Sequence, residues 1–190
     1  MKQKILAVDD QIHMLKLLER IIEELTDYDI TATNNPVEAL ELLGENQYDL
    51  VVTDMKMPGI DGMEILKFLT DNQRFEQAII ITAFGSMETA TEALDLGAFD
   101  YITKPFKKDQ IIFAIDRAMR LQRSRKVRTM FEGILEMEPY SAAESEFKTR
   151  YIEHLIHKCG QDPAAVAERT GLTFNEIELI LKNYKNDESI

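Results

Sequence analysis

The chain reads as an α/β protein, a doubly wound parallel sheet followed by a long helix and a small all-α domain. Three observations predict this. Five short apolar or β-branched runs recur at residues 4–8, 29–32, 48–53, 78–82 and 99–103, each too short to be a helix. A stretch with apolar residues at helical spacing follows each run, and such alternation argues for parallel strands covered on both faces. Past Ser141 the pattern is purely helical.

The elements follow in order. Lys4-Ile5-Leu6-Ala7-Val8 is the first strand and ends in Asp9-Asp10; Ile12, Leu15, Leu18, Ile22 and Leu25 then mark an amphipathic helix. After the strand at 29–32, Asn35 serves as N-cap and Pro36 as first residue of a helix that stops at Gly44. The third strand, 48–53, delivers Asp54 to its end, where Pro58-Gly59 turns the chain. Met63, Leu66 and Leu69 lie on the next helix. Ala78-Ile79-Ile80-Ile81-Thr82 has the composition of a fully buried strand. Ser86 caps a helix over 87–96, which Gly97 closes. The strand at 99–103 runs into Lys104-Pro105, and from Lys107 a helix turns Ile111, Ile112, Ile115 and Met119 inward. Right-handed crossovers leave few topologies for five such units, and the flavodoxin-like order fits best.

From Arg117 to Arg128 the chain carries six basic residues and no acid, which suggests that this helix continues with a solvated face. Val127, Met130, Phe131, Ile134 and Leu135 suggest that it then pairs with something. Glu138-Pro139-Tyr140-Ser141 has the composition of a break between domains. In the tail, Phe147, Tyr151, Leu155 and Cys159, with Ile152 and Ile156, read as one apolar stripe. Asp162-Pro163 starts a short helix that ends at Thr170-Gly171, and Thr173 with Glu176 forms a capping box for a last helix to about Tyr184. The expected domains are 1–121, a helical linker over 122–142, and 143–190.

Composition excludes several classes. The net charge is −12 over 190 residues, with 12 Lys+Arg against 22 Asp+Glu in residues 1–121, so the first domain is no simple electrostatic binder of nucleic acid. Cys159 is the sole cysteine, which rules out an internal disulfide framework. The sequence has no apolar run of 18 residues and no signal-peptide core behind Met1, so a cytoplasmic location without membrane contact is expected.

The strand ends gather Asp9, Asp10, Asp54, Thr82 and Lys104 on one edge of the sheet. Clustered carboxylates repel one another unless a cation bridges them, and an all-oxygen ligand set favours Mg²⁺. Lys104 supplies a point charge for a phosphate oxygen and Thr82 a hydroxyl donor. This set suits phosphoryl transfer to a carboxylate, with Asp54 attacking in line.

Val8-Asp9-Asp10, Thr53-Asp54-Met55-Lys56-Met57-Pro58-Gly59-Ile60-Asp61-Gly62, Thr82-Ala83 and Tyr101-Ile102-Thr103-Lys104-Pro105-Phe106 together resemble the receiver domain of two-component response regulators, and the wording around Ala83-Phe84-Gly85-Ser86 and Gly97-Ala98-Phe99-Asp100-Tyr101 is closest to the nitrogen-regulatory enhancer-binding class. The resemblance covers about residues 1–121. It implies a sensor histidine kinase as phosphodonor and Asp54 as phosphoacceptor. It also implies Mg²⁺ held by Asp10, Asp54 and the Lys56 carbonyl, with Asp9 acting through water. Thr82 and Lys104 would bind the phosphoryl group, Tyr101 would be an aromatic switch, and the Lys104–Pro105 bond would be cis. Such a protein is a switch rather than a turnover enzyme, and Lys56 stands where an aspartyl phosphatase carries its second acid.

Ala167, Gly171, Ile177 and Ile180 stand at helix-turn-helix offsets, and 143–185 resembles the Fis-type DNA-binding domain that ends many such regulators. The middle ATPase domain of that class has no counterpart, since no G-x-x-x-x-G-K-[ST] loop occurs. The resemblance implies transcription regulation, with contacts by Thr173, Asn175, Glu178, Leu179 and Lys182. One departure opens an alternative. Residues 141–190 hold 6 Lys+Arg against 9 Asp+Glu, and the last helix starts Phe174-Asn175-Glu176-Ile177-Glu178. Acids facing a groove oppose DNA binding, so the tail could instead serve protein interaction or a homodimer.

Overall fold

The computed structural model describes residues 2–160 and 162–187, with side chains of 181–187 outside the description. The chain divides between Arg125 and Lys126 into two compact units. The first contains β1 (Lys4–Val8), α1 (Ile12–Leu25), β2 (Asp29–Thr33), α2 (Pro36–Glu45), β3 (Leu50–Asp54), α3 (Gly62–Asp71), β4 (Gln77–Thr82), α4 (Met87–Asp95), β5 (Asp100–Thr103) and the start of α5 (Lys108–Leu135). All strand pairs are parallel, in the order β2-β1-β3-β4-β5. This is the flavodoxin-like arrangement.

The period of two along each strand builds two cores at once. Ile5, Ala7, Leu50, Val52, Ile79 and Ile81 face one side, where Leu15, Leu18 and Ile22 of α1 and Ile111, Ile115 and Met119 of α5 cover them. Leu6, Val8, Val51, Ala78 and Ile80 face the other, under Leu43 of α2, Ile65, Leu66 and Leu69 of α3 and Ala93 of α4. Central strands buried on both faces leave no room for a polar residue until the strand ends, which concentrates the polar groups there.

Capping sets where several helices begin. Asn35 accepts from the Val37 and Glu38 amides with Pro36 at the first position, and Asp61 and Glu64 form a reciprocal capping box for α3. Helix α2 runs one residue past Gly44, because Gly44 keeps a helical backbone and Asn46 closes the turn onto Leu42.

The second unit contains the end of α5, α6 (Tyr140–Lys158), α7 (Pro163–Thr170) and α8 (Phe174–Asp187). Its core is Ile152, Leu155, Val166 and Ile177, flanked by Ile156, Cys159, Ala167, Leu172 and Ile180. Gly171, at φ +71°, ends α7 in the left-handed region and opens the short turn to α8. The stripe expected on α6 divides here. Leu155 and Cys159 join the core, whereas Phe147 and Tyr151 stay about half exposed. Residues four apart drift about 40° round a helix at each step, so a row of four at this spacing does not stay on one face.

Candidate functional site

Strand register brings the site together at the carboxyl edge of the sheet, where the strand order reverses between β1 and β3. Val8 pairs with Thr53, so the next residues, Asp9 and Asp54, emerge side by side. Asp54 pairs with Ile81, and Thr82 pairs with Thr103, which puts Thr82 and Lys104 on the far flank. The Lys104 amide donates to the Thr82 carbonyl at 2.7 Å, and the Lys104–Pro105 bond is cis.

Carboxylate oxygens of Asp9, Asp10 and Asp54 lie within 4.8 Å of one another. Asp9 and Asp54 are buried, while Asp10 faces solvent. The Lys104 ammonium reaches in from β5, with Nζ 2.7 Å from Asp9 Oδ2 and 3.1 Å from Asp54 Oδ2. Burial pushes the Asp54 carboxyl above its ordinary value, and the Lys104 charge and hydrogen bond pull it back. One ammonium against three carboxylates leaves a net negative, oxygen-lined pocket open to solvent at Asp10. That donor set fits a hard divalent cation.

The remaining residues frame this centre. The Lys56 amide donates weakly to Asp54 Oδ1 at 3.5 Å. Thr82 is fully buried, and its hydroxyl oxygen accepts from the Phe84 amide at 3.1 Å. Tyr101 is half-buried, its hydroxyl 3.0 Å from Thr89 Oγ1 on α4 and 3.6 Å from Met55 Sδ. In the tail, Thr173 caps α8 through a reciprocal bond with Glu176, while Asn175, Glu178 and Leu179 are exposed. Ile180 packs on the core instead of joining Leu179 outside. The Lys182 side chain lies outside the described residues.

Three neighbours of the site received no contact from sequence reasoning. A Cβ on Gly62 would strike the Asp54 carbonyl oxygen, and the Gly62 amide donates to the Met55 carbonyl at 3.1 Å. Gly62 therefore lets the start of α3 close against the backbone that carries Asp54. In sequence it stood only as the glycine after the Asp61 turn, at the end of the motif that follows Asp54. Thr89 and Met55 hold the Tyr101 hydroxyl; Thr89 sits in an ordinary helix pattern, and Met55 entered the sequence reading only as part of the motif after Asp54.

Residues 5–116 match the response regulator receiver domain. The chain belongs to that family, whose members are phosphorylated by histidine kinases and bind Mg²⁺ at an acidic pocket. It is 36% identical to Sporulation initiation phosphotransferase F of Bacillus subtilis over 122 residues, covering 64% of this chain and 98% of that protein. It is also 36% identical to Regulatory protein AtoC of Escherichia coli over 123 residues, 65% of this chain but only 26% of that longer protein. Transcriptional regulatory protein SrrA of Staphylococcus aureus is 29% identical over 181 residues, 95% of this chain and 70% of that protein. Among solved structures, the beryllofluoride-activated NtrC4 receiver domain dimer superposes with a TM-score of 0.59 at 29% identity, over 63% of this chain and 98% of that one. Among the described residues no helix is long and apolar enough to cross a membrane.

Proposed function

We propose that the chain is a phosphorylation switch in which a sensor histidine kinase transfers a phosphoryl group to Asp54. The observation that carries this is the Lys104 ammonium bridging Asp9 and Asp54 beside a third carboxylate. An Asp54 carboxylate oxygen attacks phosphorus in line as the bond to the donor's imidazole nitrogen breaks. Lys104 then moves its hydrogen bond from the carboxylates to a phosphoryl oxygen, and the Thr82 hydroxyl donates to another. Asp10, Asp54 and the Lys56 carbonyl would hold Mg²⁺, with Asp9 acting through water, and the ion would further neutralise the phosphoryl charge.

The same reading makes Thr82 and Tyr101 the switch. Drawing the Thr82 hydroxyl toward the phosphoryl group frees the Phe84 amide, and Tyr101 exchanges its present contacts with Thr89 and Met55. The state in which those contacts have changed is populated only when phosphorylation stabilises it.

The output in this reading is transcription regulation by the Fis-like tail, in the cytoplasm and as a homodimer. SrrA, alike over most of the chain, carries the name of a transcriptional regulator. A second reading, protein interaction through a degenerate helix-turn-helix, is favoured by the exposed Leu179 and the exposed acids of α8. The test of the switch is Mg²⁺-dependent uptake of one phosphoryl group from a small phosphodonor, followed by mass spectrometry. Asp54→Asn should abolish it; equal uptake by that variant would overturn the assignment. A gel shift with phosphorylated protein at low salt separates the outputs: a retarded band supports DNA binding, and a blank lane supports the second reading.

A further inference from the structure

Helix α4 begins on a hydroxyl that it shares with Tyr101. Ser86, its N-cap, accepts at Oγ from the Thr89 amide at 3.1 Å, and the Ser86 amide donates to Thr89 Oγ1 at 3.1 Å. Thr89 is thus half of the capping box, and the same Oγ1 lies 3.0 Å from the Tyr101 hydroxyl. Proton counting orders the contacts. The Thr89 hydroxyl has one proton, which reaches the Ser86 carbonyl at 3.1 Å. Tyr101 then donates to Thr89, a better acceptor than Met55 Sδ at 3.6 Å. One chain of hydroxyls, Tyr101 to Thr89 to Ser86, therefore ties β5 to the first turn of α4.

The loop before α4 is seated on the same strand. A Cβ on Gly85 would lie 2.4 Å from Thr103 Cγ2 and 3.6 Å from Tyr101 Cε1. Gly85 has no positive φ, so the close approach to Thr103 is what requires glycine. At the other end of the loop the Phe84 amide donates to Thr82 Oγ1 at 3.1 Å. Residues 83–86 are thus held at Thr82, at Thr103 and, through Thr89, at Tyr101.

We propose that Thr89 is the positioning residue that couples Tyr101 to α4. With Tyr101 in its present place the capping box is closed and the loop lies against β5; when Tyr101 leaves, the loop and the first turn of α4 loosen. The proposal rests on the phosphorylation switch for its trigger and adds what that switch releases. A neutral hydrogen bond shifts a local opening equilibrium by about two- to tenfold, enough to loosen one helical turn and too little to disturb the sheet.

Amide hydrogen exchange of the full chain tests this, read by NMR at Thr89 and Ala90 against Ile79–Ile81 of β4. In the unphosphorylated protein Tyr101→Phe should speed exchange at Thr89 and Ala90 by about two- to tenfold. Thr89→Val should speed it at least as much, and adding Tyr101→Phe to that variant should add nothing. Thr89→Ser, which keeps the hydroxyl, should stay near the parent. Gly85→Ala should also speed exchange, and Thr103→Ser, which removes the methyl that the new Cβ strikes, should reverse it. Additive effects of Thr89→Val and Tyr101→Phe, or no effect of Tyr101→Phe, overturn the coupling. Acetyl phosphate with Mg²⁺ should bring the parent to the Tyr101→Phe level. Phosphoryl uptake without a change at α4 overturns the proposal and leaves the chemistry at Asp54 standing. No uptake at Asp54 overturns that chemistry, while the variants of the unphosphorylated protein still decide the coupling.

Discussion

At the scale of single residues, the site is an electrostatic compromise that Lys104 holds together. Asp9 and Asp54 are 2% and 5% exposed, so their charges are poorly solvated and depend on the ammonium between them. Removing one partner of a buried ion pair leaves an uncompensated charge, at a cost of about 3–5 kcal/mol. Lys104→Met should therefore lose stability on that order at neutral pH. The loss should shrink on acidification, because burial already raises the Asp54 carboxyl and protonating it removes an uncompensated charge. Mg²⁺ at 100 times its dissociation constant contributes about 2.7 kcal/mol, so millimolar Mg²⁺ should recover much of the loss, whereas EDTA should restore it. Urea denaturation with and without Mg²⁺ measures both effects, and a variant indifferent to the ion would refute this account of the pocket. Gly62 acts sterically instead. In Gly62→Ala the new methyl meets the Asp54 carbonyl, and overpacking costs about 1–3 kcal/mol. Slower phosphoryl uptake should accompany that loss, because the displaced backbone is the one that aims Asp54. A variant that is destabilised but takes up phosphate at the parent rate would separate packing from positioning.

At the scale of elements, one bond ties the start of β2 to α5. The Tyr28 hydroxyl donates to Asp116 Oδ1 at 3.0 Å, and burial first, then that bond and charge, pushes its pKa from 10.0 to about 12. For a group whose folded-state value is raised, the stabilising contribution is whole below the unfolded value, here about pH 10. It is lost as pH rises through about 12. Tyr28→Phe should therefore show a shallower decline of stability than the parent between about pH 10 and 12, followed by chemical denaturation. Parallel curves would mean that the bond contributes nothing. The strands around this contact were legible in the sequence because burial on both faces demands unbroken apolar runs, and Ile79-Ile80-Ile81 has no other reading. The site was legible for the same reason: polar residues are tolerated only where those runs end, at Asp9, Asp54, Thr82 and Lys104. Phe147 and Tyr151 were not, since helical spacing identifies an apolar row but not how far round the helix the core extends.

At the scale of the molecule, the question is where the receiver ends. The receiver resemblance covers about residues 1–121, and the basic run from Arg117 reads in sequence as the solvated face of a continuing helix. In the structure the boundary falls after Arg125. Gln122 is fully buried and accepts from Gln77 Nε2 at 3.2 Å, while Arg123 donates to Gln3 Oε1 at 2.8 Å. Gln3 in turn donates to the Met119 carbonyl at 3.1 Å. These amides close the end of the sheet opposite the phosphoryl site, and no periodicity marks a buried glutamine among arginines. A fragment ending at Arg125 should unfold in one cooperative transition and accept a phosphoryl group at Asp54. A fragment ending at residue 121 leaves the buried Gln77 amide without its acceptor, which costs about 1–3 kcal/mol, and also loses the Arg123 bond. Its urea midpoint should fall accordingly while phosphoryl uptake persists, because Gln77 and Asp54 lie at opposite ends of their strands. Equal midpoints for the two fragments would make the amide cluster irrelevant to the receiver and return its end to residue 121.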